Sequence, residues 1–157
     1  MKKLLLILAV IVSGISFSAQ ATKWSELGRL IASETNSVAN SIEESFKSEG
    51  LNVKASSGFN SSYNSVDITL DFGPLDIVSF LNDAAITGFK ESFTEAFIQS
   101  YLEDPDDSVD FPEFVKIMED GNGEYRLIFK GDGKEKAIRI TPQDFKTIGS
   151  SKFGLKF

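Results

Sequence analysis

Histidine and cysteine are both missing from this 157-residue chain. Without histidine there is no imidazole base, no Ser-His-Asp or Cys-His nucleophile system, and no usual zinc site. Without cysteine there is no disulfide, so an exported form of the chain must be held together by its core alone. Basic patches with interleaved aromatics are also missing, and the formal net charge is −7. Both argue against a nucleic-acid partner. No Gly-x-Ser-x-Gly elbow, no phosphate-cradling glycine loop and, beyond the N-terminal segment, no Ser-x-x-Lys sequence occurs. These absences remove most common enzyme chemistries and lean the reading away from an enzyme.

The first 21 residues have the pattern of a cleavable export signal. Lys2 and Lys3 are followed by an unbroken apolar run, Leu4 to Val12, and by the small-x-small site Ala19-Gln20-Ala21. The apolar run is short for a membrane span, and no cysteine follows it to carry a lipid. The expectation is a bacterial protein that is secreted or periplasmic, with one α+β domain over residues 22–157. Removing Lys2 and Lys3 from the 16 cations leaves 14 against 23 carboxylates, a net −9. Nine of those carboxylates lie between Glu103 and Glu124, beside the single cation Lys116.

Hydrophobic spacing suggests the elements. Trp24, Leu27, Ile31, Val38, Ile42 and Phe46, with Thr35 filling the gap on that face, recur every three or four residues, which predicts one helix over Thr22–Ser48 ending at Gly50. Leu51–Ser56 and Ser65–Phe72 read as strands; in the second, Val66, Ile68, Leu70 and Phe72 alternate with polar residues. Between them, Ser57–Asn64 reads as a loop that carries Phe59 and Tyr63 as exposed-aromatic candidates. Gly73-Pro74 then opens a second long helix over Leu75–Leu102. Phe114–Met118, Tyr125–Phe129 and Ala137–Thr141 read as a meander across Asp120-Gly121-Asn122-Gly123 and Gly131-Asp132-Gly133. A short helical turn follows at Thr141, and Ser151–Phe157 alternates as a closing strand. The expected order is α-ββ-α-βββ: an α+β fold with an antiparallel, curved sheet and two long helices packed on it.

Three stretches invite a functional reading. Phe89, Phe93, Phe97 and Tyr101 step by four along the second helix and drift 40° per step, giving a broad aromatic face suited to core packing or to an apolar ligand or partner segment. Asp104 to Met118 resembles part of an EF-hand calcium loop. With Glu113 at its last position, Asp104 and Asp106 fall on the third and fifth, with Asp110 beside them, and Phe114–Met118 becomes an exiting helix. Leu102 stands at the first ligand position and Asp107 where the turn glycine belongs. The resemblance implies Ca2+ as the one cofactor to consider, at Asp104, Asp106, Asp110 and Glu113. Finally, Phe153, Leu155 and the terminal Phe157 resemble the last strand of outer-membrane β-barrels, which implies association with that membrane or with a partner's sheet.

The leading expectation is an exported, non-catalytic binding protein holding an apolar small molecule or a protein segment against Phe89, Phe93 and Phe97. One alternative is an acidic interaction protein that binds calcium or a cationic surface through Glu103–Glu124. Another is a small hydrolase built on carboxylates such as Asp67 with Asp71, or Asp110 with Glu113.

Overall fold

The alternation along Ser65–Asp71 sets one face of a sheet toward a core, and the rest of the fold is arranged around that face. The structure is a computed structural model that describes residues 23–103 and 110–157. Its elements are α1 (Trp24–Ser37), α2 (Ala39–Ser48), β1 (Lys54–Asn60), β2 (Ser65–Asp71), a 3-10 turn (Val78–Phe80), α3 (Asp83–Glu103), α4 (Phe111–Asp120), β3 (Glu124–Gly131), β4 (Lys134–Ile140) and α5 (Pro142–Phe153). The fold is α+β, with five helices and an open four-stranded sheet in the order β1-β2-β3-β4.

The sheet is mixed, which corrects the antiparallel expectation. Both hairpins, β1–β2 and β3–β4, are antiparallel, but β2 and β3 pair in parallel. A parallel neighbour requires a long crossover, and here that crossover is the 3-10 turn, α3 and α4. The β3–β4 hairpin forms where expected. Asp132 and Gly133 both take positive φ (52° and 71°), the geometry of a two-residue turn that matches strand twist.

Five further expectations are corrected. Phe114–Met118 is helical: Phe111, Phe114, Val115 and Met118 form one buried stripe at helical spacing. Asp110 caps that helix, its carboxylate accepting the Glu113 N–H at 2.8 Å. The first long helix breaks at Val38, where the Ser37 hydroxyl turns back to the Glu34 carbonyl. The second begins only at Asp83, because Asn82 caps it by accepting the Ala85 N–H. Ser57–Asn60 belongs to β1, not to a loop. The expected closing strand Ser151–Phe157 is not formed: Ser151–Phe153 end α5, and residues 154–157 follow without regular structure. That helix opens with a reciprocal cap between Thr141 and Asp144 and stops at Gly154, whose φ of 65° ends it in the left-handed region.

The core lies on the sheet face presented by Val66, Ile68, Leu70, Tyr125, Leu127, Phe129, Ile138 and Ile140, all buried. The helices converge on it through aromatic rings. Trp24 of α1, Phe93 and Phe97 of α3 and Phe145 of α5 all lie 5.4–6.0 Å from the Tyr125 ring. Phe114 of α4 joins through Trp24 and Phe97, and Phe46 of α2 through Phe72. Trp24 is the keystone of one end. Its indole N–H donates to the Asn64 carbonyl at 2.6 Å, and a side chain at Gly121 or Gly123 would collide with its ring. No described helix is long and apolar enough to cross a membrane.

Candidate functional site

The aromatic face of α3 lies inside the core. Phe89, Phe93, Phe97 and Tyr101 are 3%, 0%, 2% and 8% exposed. Phe97 alone has three ring neighbours within 5.6 Å: Phe114 and Phe145 at 5.2 Å and Tyr125 at 5.6 Å. Their apolar area is thus already removed from water by the fold. Two grooves, of about 510 and 520 Å³, lie elsewhere. One is lined by Leu51, Lys54, Asp71, Phe72 and Leu75, the other by Pro112, Glu113, Lys116, Lys146 and Phe157.

Of the four residues suggested for calcium, Asp104 and Asp106 lie outside the described residues. Asp110 caps α4, and Glu113 stands in the first turn of that helix. Among the described residues, no group of three metal-ligating side chains converges. Asp67 and Asp71 lie four residues apart on one strand and do not meet: Asp71 accepts the Gly73 N–H, while Asp67 belongs to the network below. Phe153, Leu155 and Phe157 do not share a strand face. Phe153 ends α5, and Phe157 folds back so that its ring lies 5.9 Å from Phe111.

The other face of the sheet carries no described helix, and its side chains are polar almost throughout. At one end, cross-strand neighbours alternate in charge over all four strands: Lys54, Asp71, Lys130, Glu135. Ile128 is the one large apolar side chain on this face, flanked along β3 by Arg126 and Lys130 and only 6% exposed. At the other end the alternation fails. Asp67 faces Arg126, and Arg126 faces Arg139. Like charges directly opposite each other oppose sheet formation, so this row needs compensation.

The compensation is a fixed polar network. Arg126 donates from Nη1 to Asp67 Oδ2 at 3.2 Å. Asn60 donates to the same oxygen at 3.1 Å, and Ser65 donates to Oδ1 at 2.5 Å. The Tyr63 ring lies against the guanidinium, 4.1 Å from its carbon, and is itself 56% exposed. Arg139 donates from Nε to Glu124 at 2.6 Å, and that hydrogen bond and charge push its pKa higher still. Arg126 and Asp67 are each 16% exposed, whereas Arg139 reaches out at 67%. A guanidinium has five N–H donors, so both arginines retain donors after these bonds.

Sequence reasoning singles out Asp67 and Tyr63, and Glu124 only as the end of the acidic segment, but not Arg126, Arg139 or Asn60. The missing signal is the β2–β3 register, which the parallel crossover sets and which no local pattern records. Comparison with known proteins returns no matching family, no matching curated protein and no matching solved structure.

Proposed function

We propose that the chain is an exported, non-catalytic interaction protein that meets a protein partner through the helix-free face of its sheet. The carrying observation is the Arg126–Asp67–Tyr63 network on that face. Arginine and tyrosine dominate the energetics of protein interfaces. Here Asn60, Ser65 and Asp67 hold the pair in place before any partner arrives, which reduces the ordering entropy of binding. The Phe-rich α3 supports this surface from beneath the sheet, and the N-terminal 21 residues direct export and are then removed.

In vivo photocrosslinking tests the reading. A photoreactive residue at Thr69, on the helix-free face, is expected to yield a discrete adduct from the exported fraction. The same residue at Ser33, exposed on α1, is expected to give none. Adding Arg126→Gln is expected to abolish the Thr69 adduct. Equal adducts at both positions, or an adduct indifferent to Arg126, refute the assignment.

A further inference from the structure

The two edges of the sheet are treated differently. On β1, the amides of Ala55 and Ser57 point away from β2. Helix side chains cover both: Glu43 of α2 accepts the Ala55 N–H at 2.9 Å, and Asn36 of α1 accepts the Ser57 N–H at 3.1 Å. An edge covered in this way is closed to a further strand. On β4 the two-residue turn fixes which groups face outward. Gly131 and Lys134 close the hairpin, so Lys134, Lys136, Ile138 and Ile140 bond to β3, and Glu135, Ala137 and Arg139 turn their N–H and C=O groups to the free edge. None of these three amides has a partner among the described residues.

The side chains at those three positions are self-complementary. Place a second β4 antiparallel to the first, with Ala137 opposite Ala137. Glu135 then faces Arg139 of the second copy, and Arg139 faces Glu135. Glu135 makes no ion pair with any described residue, and Arg139 is the most exposed side chain in the sheet's ion pairs. Shifting the pairing to centre on Lys136 sets two lysines against each other, and centring it on Ile138 sets Arg139 against Ala137 and Glu135 against Thr141, so both ion pairs are lost. One register is therefore favoured over its neighbours. On the opposite face it sets Lys136 against Ile138 and Lys134 against Ile140, with no like-charge pair.

We propose that two copies of this chain join through β4, antiparallel about Ala137, into one continuous eight-stranded sheet. About six backbone hydrogen bonds and two reciprocal Glu135–Arg139 pairs hold the junction. The helix-free faces of both copies then form one surface carrying two Arg126–Tyr63 networks. This inference goes beyond the partner proposed above and does not depend on it.

Sedimentation equilibrium on the purified chain tests it, with circular dichroism confirming that each variant folds. The wild type is expected to dimerise. Glu135→Arg and Arg139→Glu each set like charges at both symmetric positions, so each is expected to weaken the dimer roughly tenfold or more. Mixed together, the two variants become complementary at both positions and are expected to recover association. Ala137→Pro removes only an outward amide and is also expected to give a monomer. A wild type that stays monomeric at every loading concentration overturns the proposal. So does a mixture that associates no better than its components, or a fully dimeric Ala137→Pro.

Discussion

Tyr125 sits at the centre of the core with a hydroxyl that finds no partner among the described residues. The residue is 1% exposed and ringed by Trp24, Phe93, Phe97 and Phe145. An unsatisfied buried hydroxyl costs about 1–3 kcal/mol in desolvation. Tyr125→Phe removes that penalty and leaves a gap of about one oxygen atom, worth ~0.3 kcal/mol against it. The expected net gain is about 1–2 kcal/mol, or a Tm rise of roughly 4–8 °C for a domain of this size. A second signature lies at high pH. Burial raises the Tyr125 phenol pKa well above its ordinary value of 10.0. The unfolded chain then loses its proton first, so stability is fully present below about pH 10 and falls as pH rises further. The slope from this one group is at most ~1.4 kcal/mol per pH unit, and the variant lacks it. Denaturant unfolding at neutral pH and above pH 10 therefore shows a stability gap that widens with pH. A variant that is less stable than wild type, with a parallel pH dependence, refutes the account of Tyr125 as an unpartnered hydroxyl.

Gly123→Ala drives a methyl group into the Trp24 indole, which is 2% exposed and held by its bond to Asn64. A loss of about 1–3 kcal/mol is expected, together with a shift in the fluorescence of this single tryptophan; an unchanged melt contradicts the packing described. The double substitution Asn36→Ala, Glu43→Ala uncovers the β1 edge. Light scattering is expected to show association beyond that of wild type, and wild-type behaviour shows that these side chains do not guard the edge.

The candidate site was only partly legible in the sequence. Tyr63 and Asp67 drew notice as a loop aromatic and as one carboxylate among many. Nothing local connects either of them to Arg126, because that contact spans 59 residues between Asp67 and Arg126. The α3 aromatics illustrate the converse. Their spacing shows a broad apolar face, but a face that meets a ligand and one that meets Phe114 and Phe145 have the same spacing. Phe111–Asp120 misled because the window Phe114–Met118 is too short to show its period; including Phe111 reveals the helical stripe.

By itself, the sequence determined what short-range periodicity and turn chemistry can carry. That includes the half-buried β2, the β3–β4 hairpin with its positive-φ turn, the apolar stripe of α1 and α2, and the α+β class. It also excluded imidazole and thiol chemistry outright, since those groups are simply not there. The tertiary structure alone decided the parallel β2–β3 pairing, the helical state of Phe111–Asp120 and the side of the sheet that the helices cover. It alone decided that Arg126 and Arg139 stand side by side between two carboxylates. These outcomes depend on which distant surfaces bury the most apolar area together, and that competition is settled over the whole chain.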